Sequence, residues 1–315
     1  MDYDIKASCG AGLGKIVDGV YYYHEPHKGI MTYTPGGETK QLLHTYWYED
    51  WAVNEYGIYY RQGMSVYVRD HESGTKTKLY TSDSVENTHM RFELWRDNNI
   101  IVTNYNKYEE VVYEVLVDGV KGGVLETVME KTSYDVAKTV YYSDLHYRVG
   151  DREITLEPIN EDRSIFIVIE NGENILPKDF YVTNYPTLLD GILILDKYTS
   201  IHHGNAFVIY ADGTNQILKL PQFTNFKGNE NFLFYDDVSN KAVGCVDAHT
   251  GETWFLEIET NNMTYNHIYN IKTDGEYMYT CGPAGGQTTC WKLIYDETGK
   301  PVAMNLVDDD IKIKK

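Results

Sequence analysis

Hydrophobic and polar positions along this chain alternate in short runs, and no stretch sustains apolar spacing at i, i+3, i+4 and i+7. Two strand-like runs joined by a glycine-bearing turn recur instead. They fall at Met31–Leu43, Val66–Leu79, Val112–Leu125, Ile165–Leu176, Phe207–Leu220, Ala242–Phe255 and Trp291–Met304. Glycine suits such turns because they call for positive φ. The markers Gly37, Gly74, Gly122, Gly172, Gly213, Gly251 and Gly299 stand about 40 to 50 residues apart, the period of a four-stranded propeller blade.

A second signature, a polar turn and then an apolar strand, precedes most hairpins. It occurs at Asp18–Tyr23, Tyr56–Tyr60, Asp97–Val102, Asp190–Leu195, Gly228–Tyr235 and Asp274–Tyr279. Lettering the strands of each unit a to d, this reads as the a–b turn and strand b, with the later hairpin as c and d. The fourth unit is irregular: Lys138–Tyr142 and Tyr147–Leu156 are expected to supply its a and b, with no Asp-Gly pair between them. The fold class predicted is all-β, a seven-bladed β-propeller of four-stranded antiparallel blades. Six blades would require discarding a marker, and none is a good one to discard. A β-sandwich is the rival, disfavoured by the period. The chain 1–315 reads as one propeller domain, with 308–315 a short tail.

Composition changes this picture only at its margins. Aromatics make up 14% of the chain, and Tyr alone supplies 29 residues, most of them expected to pack between strands. The net charge of −19 opposes binding to a polyanion, so no nucleic acid is expected as a partner. The longest apolar runs, Ile165–Ile169 and Ile192–Leu195, are strand-sized, so no membrane span is expected. The start, Met1-Asp2-Tyr3-Asp4, has no basic or apolar leader region. The compartment stays open between the cytoplasm and an extracellular location with a signal removed. Cys281 and Cys290 flank the loop 282–289 and are candidates to face each other across a hairpin; reduced thiols are the default.

The pairing of Asp-Gly-x-hydrophobic-Tyr-Tyr with a hairpin of the type Tyr-x-x-Asp-Gly-x-x-x-x-Leu resembles the TolB-like repeats of bacterial propeller proteins over nearly the whole chain. That resemblance implies blade architecture and no particular activity. The unit Val246–Trp254 is similar to the blade motif of quinoprotein-type propellers, but its Trp falls one place early and the other units lack it. No quinone or other cofactor is expected.

In a propeller the a strands line the central channel, and ligands usually meet the face built from b–c loops and d–a crossovers. The first crossover, Thr45–Trp51, carries Trp47, Glu49, Asp50 and Trp51, which combine flat apolar faces with carboxylates as a sugar requires; core packing of Trp51 competes with this. The run His89–Trp95 alternates His89, Arg91, Glu93 and Trp95 with Met90, Phe92 and Leu94, so the polar set shares one strand face. Its bland reading is a solvated channel wall with an Arg–Glu pair. Histidines fall in predicted b–c loops, at His24, His27, His202 and His203, and His267 precedes the last inner strand. His-x-x-His in a Pro loop lacks the helical frame of a zinc motif, and no metal is assigned.

Nucleophile elbows, phosphate loops and dinucleotide fingerprints are missing. Carboxylate pairs for glycoside hydrolysis are defined by distance in space, and 47 acids offer too many combinations. The reading these features carry is a non-enzymatic binding module for a carbohydrate or protein ligand. Its candidate residues are Trp47, Asp50, His89, Arg91, Glu93, His202, His203 and His267. The alternative is a carbohydrate-active enzyme, a glycoside hydrolase or polysaccharide lyase, with Asp50, His89, Arg91 and Glu93 near its site.

Overall fold

The computed structural model describes residues 14–25, 28–44, 50–82, 87–108, 111–130, 145–160, 164–183, 186–198, 204–221, 226–237, 242–259, 269–281, 288–309 and 311. The fold is a seven-bladed β-propeller in which each blade is an antiparallel meander. Blade 1 is β1 (Lys15–Val17), β2 (Val20–Glu25), β3 (Gly29–Tyr33) and β4 (Thr39–Leu43). Blade 2 is β5 (Trp51–Val53), β6 (Gly57–Gln62), β7 (Ser65–Asp70) and β8 (Lys76–Thr81). Blade 3 is β9 (Asn87–Leu94), β10 (Ile100–Asn106), β11 (Val111–Val117) and β12 (Val124–Glu130). Blade 4 is β13 (His146–Val149), β14 (Arg152–Pro158), β15 (Phe166–Glu170) and β16 (Glu173–Asn174).

Blade 5 is β17 (Thr187–Leu189), β18 (Ile192–Asp196), β19 (Asn205–Tyr210) and β20 (Asn215–Lys219). Blade 6 is β21 (Lys227–Gly228), β22 (Phe232–Asp237), β23 (Ala242–Asp247) and β24 (Thr253–Phe255). Blade 7 is β26 (Tyr269–Thr273), β27 (Tyr277–Cys281), β28 (Thr288–Tyr295) and β29 (Pro301–Asp308). Blade 7 also gains a fifth strand. The segment β25 (Glu257–Glu259), leaving blade 6, pairs parallel with β29 and covers its open edge.

The chain divides into two compact units, Tyr48–Asn184 and Asp2–Trp47 with Tyr185–Lys315. In the first, Tyr59, Val66, Val68 and Leu79 of blade 2 pack on Met90, Phe92, Ile100, Val102, Val115 and Val117 of blade 3. In the second, Ile194, Val208 and Leu218 of blade 5 meet Leu233 and Val246 of blade 6. Phe234 and Cys245 of blade 6 meet Met278, Trp291 and Met304 of blade 7. Inner strands covered on both faces read as nearly continuous buried runs, as in β3 and β18. Outer strands such as β20 alternate.

Among the described residues blades 1 and 7 are each built from consecutive strands and share none, and side chains meet across their seam. The rings of Tyr21 and Tyr279 stack at 4.1 Å with planes 9° apart. Tyr33 meets Tyr279 edge-on at 6.3 Å, and its hydroxyl donates to Asp308. Burial and the hydrogen bond to Asp308 drive the Tyr33 phenol far above its usual range. The chain end expected as a tail is packed as far as described: Asp308 closes β29, and Ile311 is buried among Tyr21, Tyr33 and Tyr279.

Four details differ from the sequence reading. In the first hairpin the left-handed residue is Gly36, at φ 71°, and Gly37 instead donates its N–H to Thr34 O at 2.8 Å. In the fourth blade both inner strands lie within 146–158, joined at Gly150-Asp151; 138–142 lies outside the described residues. Cys281 stands opposite Thr288 and Cys290 opposite Tyr279, so the two cysteines are not register partners, and Cys290 is a free, buried thiol. Burial pushes that thiol up to about 12. Blade 7 keeps the four antiparallel strands expected of it, β26 to β29, and adds to them a parallel fifth, β25, from outside the hairpin repeat.

Candidate functional site at the loop end of blade 3

Each blade has a turn end, with its a–b and c–d turns, and a loop end, with its b–c loop and d–a connections. At the turn end the recurrent acids and amides are consumed by local geometry. Asp118 Oδ1 accepts the N–H groups of Val120 and Lys121, both at 2.9 Å. Asp247 Oδ1 does the same for His249 and Thr250 at 2.9 and 2.7 Å. Asp296 serves Thr298 and Lys300. Asn54 and Asn229 tie their a–b turns in the same way, as does Asp274. Backbone N–H donation holds the carboxyls of Asp70 and Asp118 below the usual range, and the Thr298 hydroxyl does so for Asp296. Trp254, the residue behind the quinoprotein-type likeness, is also structural: its Nε1 donates to Pro301 O at 2.6 Å, and Lys300 Nζ lies 3.9 Å from its ring.

At the loop end, large apolar side chains emerge just after strand b. Tyr108 follows β10 at 67% exposure, Ile159 follows β14 and Tyr198 follows β18. Blade 3 adds charge there. On β9, Met90 and Phe92 face blade 2, while His89 and Arg91 lie on the opposite face of the sheet. Tyr105, across the strand from His89, organises both: the His89 ring lies 5.5 Å from its ring, and the Arg91 guanidinium carbon 5.7 Å. Arg91 is exposed and has no carboxylate partner among the described residues. Lys107 Nζ stands 4.9 Å from the Tyr108 ring. Glu93 is half-buried further along the same strand face, and Thr103, opposite Arg91, donates to the buried Glu114 at 2.8 Å.

The other candidates are placed differently. Asp50 receives Arg61 Nε at 3.4 Å, and Arg61 also bonds Gly63 O at 3.1 Å, so this pair braces the b–c turn of blade 2. Trp47, His202, His203 and His267 lie outside the described residues, as does His27. Trp51 opens β5 half-buried, as a packing role would have it. His24 is half-buried on β2, and burial lowers its pKa. Among the described residues no cluster of His, Cys, Asp and Glu has the makings of a metal site, and no helix is long and apolar enough to cross a membrane. Sequence reasoning missed Tyr105 and Tyr108. The signal for Tyr105 was the alternation of Ile101, Thr103 and Tyr105 along β10, in step with His89, Arg91 and Glu93.

No family model matches the chain, and no curated protein matches it. Solved structures do. A puromycin-hydrolyzing peptidase of Mycobacterium tuberculosis superposes with a TM-score of 0.54 at 13% identity, over 96% of this chain and 53% of that one. The chain thus spans about half the length of that peptidase. AztD from Citrobacter koseri gives 0.47 at 11% identity, over 95% and 86% of the two chains. Hsv2 of Kluyveromyces lactis gives 0.45 at 9%, over 78% and 73%. At such identities the likeness is one of fold alone.

Proposed function

We propose that this propeller is a non-enzymatic binding module that takes a carbohydrate or protein ligand at its loop end, with the end of blade 3 as one contact region. The observation that carries the reading is Arg91: an exposed guanidinium held over the buried Tyr105 ring, beside His89 and with no carboxylate partner among the described residues. Such a group is poised to donate hydrogen bonds to ligand oxygens. The exposed ring of Tyr108, at the same end of the same blade, supplies an aromatic face of the kind that sugar C–H groups and peptide side chains pack on. Trp47, His202, His203 and His267 are proposed as further contacts. The glycoside hydrolase or lyase alternative gains no support from Asp50, whose carboxylate is engaged by Arg61. A thermal-shift screen of the full chain against neutral and acidic oligosaccharides tests the carbohydrate arm. The expected result is stabilisation by at least one saccharide, reduced in Arg91→Ala and Tyr108→Ala. Stabilisation that both variants leave untouched would move the site away from blade 3.

A further inference from the structure

One c–d turn differs from the others in what its polar groups do. Blade 4 turns from β15 to β16 at Asn171-Gly172, the only place in the chain where an asparagine precedes a glycine. In the comparable Asp212-Gly213 of blade 5 both groups are engaged. Asp212 Oδ1 accepts the Thr214 N–H at 2.8 Å and the Thr214 hydroxyl at 2.7 Å, and the Gly213 N–H donates to Tyr210 O at 3.2 Å. Among the described residues neither the Asn171 carboxamide nor the Gly172 N–H has a hydrogen-bond partner, and both residues are exposed.

An asparagine followed by glycine carries its own nucleophile. The backbone nitrogen of the next residue reaches the side-chain carbonyl carbon by closing a five-membered ring, and glycine puts no side chain in the way. Asn171 stands at φ 51° and Gly172 at φ 81°, the left-handed pair that a two-residue hairpin requires. The turn has to leave that geometry before the nitrogen can attack, and little holds it. The strand β16 is two residues long, both exposed, and pairs with β15 as Glu173 to Glu170 and Asn174 to Ile169. A Cβ on Gly172 would meet nothing within 4 Å. A segment with so few buried contacts opens at low cost.

We infer that Asn171-Gly172 is a self-modification site at which Asn171 converts to aspartate and isoaspartate. The Gly172 nitrogen gives up its proton to water and bonds to Asn171 Cγ. The bond from Cγ to the amide nitrogen breaks, and that nitrogen takes up a proton and leaves as ammonia. Water then opens the five-membered imide. Opening at Cγ gives aspartate, and opening at the main-chain carbonyl gives isoaspartate, whose backbone is longer by one carbon. Either product adds a negative charge beside Glu170 and Glu173. The longer backbone no longer fits a two-residue turn, so Glu173 cannot stay opposite Glu170. Glu170 is held to the inner strands by Arg152, with both contacts at 2.7 Å, so β16 is the strand that detaches and β15 becomes an open edge. This inference is independent of the ligand-binding reading.

The test incubates the full chain at neutral and mildly alkaline pH and follows the peptide holding residue 171 by mass spectrometry. Isoaspartate is counted by enzymatic methyl transfer to its carboxylate, and the same chain unfolded in guanidinium chloride gives the unrestrained rate. Asn171 should convert before every other asparagine, faster as pH rises, and within about tenfold of the unfolded rate, as a cheaply opened turn allows. The product should contain isoaspartate, its amides at Glu173 and Ile175 should exchange hydrogen faster than in the fresh chain, and Asn171→Gln should abolish the signal. A folded rate more than about tenfold below the unfolded one overturns the inference, because the turn is then protected. Conversion led by another asparagine overturns it as well. Aspartate without isoaspartate overturns the imide route, and unchanged exchange at Glu173 and Ile175 overturns the detachment of β16. If Asn171→Gln fails to fold, as circular dichroism would show, the unaltered chain alone decides.

Discussion

The two ends of the blades differ in what their polar residues are for. At the turn end, acids are abundant: Asp18, Asp97, Asp118, Asp190, Asp212, Asp274 and Asp296 all lie in or beside a–b or c–d turns, and Arg96, Lys121 and Lys300 are the only Lys or Arg within them. Many of these acids are bonded to the backbone of their own turn. At the loop end of blade 3, Arg91, Lys107 and Tyr108 are instead stacked on or beside rings and open to solvent. In these turns one oxygen, Oδ1, accepts the N–H groups, which points the carboxylate at its own backbone. The contrast teaches that the recurrent aspartates of the turns serve turn construction in a chain whose net charge is −19.

That contrast is open to attack at several points. The largest effect belongs to Gly122→Val. Gly122 sits at φ +80°, and a Cβ there would stand 2.8 Å from Lys78 O and 2.9 Å from Leu79 Cα on blade 2. Strain and clash together should cost on the order of 3 kcal/mol in urea unfolding; a near-neutral variant would show that the turn end is not a rigid contact. Next, Asp118→Ala removes two backbone acceptor bonds and should cost about 1 kcal/mol by the same measurement. An unchanged midpoint would mean the recurrent aspartate is not a turn device.

Acid titration sharpens the point further. Asp70, Asp118 and Asp296 have folded pKa values below the unfolded ones, so their contribution is present above the ordinary carboxylate pKa and is lost as pH falls through the folded value. Stability should therefore decline below about pH 4. Asp118→Asn should flatten that decline slightly, and a steeper decline would contradict the sign. The smallest stability effect is expected for Arg91→Ala, within about 0.5 kcal/mol of the unaltered chain. A large loss there would make Arg91 a structural residue and remove the contrast between the two ends.

Much of the scaffold was legible in the sequence because a repeated hairpin repeats its own requirements. The glycines at 74, 122, 172, 213, 251 and 299 occupy left-handed positions, which a side chain would strain. The first hairpin was misread by one residue, because Gly36 and Gly37 are adjacent and only backbone geometry tells which takes the positive φ. The inner strands of the fourth blade were displaced because Gly150-Asp151 inverts the usual order of the turn. Of the site, the shared face of His89, Arg91 and Glu93 was visible as a period of two. The role of Asp50 was not, since it depends on where Arg61 arrives from the next strand.

The sequence by itself determined the number of blades, the order of strands within them and the alternation that puts His89 and Arg91 on one face, because these follow from local turn chemistry and strand periodicity. Tertiary structure alone decided how the first and last blades meet, through stacked tyrosines and the Tyr33–Asp308 bond. It also decided that β25 would cover the edge of β29. Each of those depends on residues far apart in the chain arriving together, and burial is a property of the packed blades that no single segment carries.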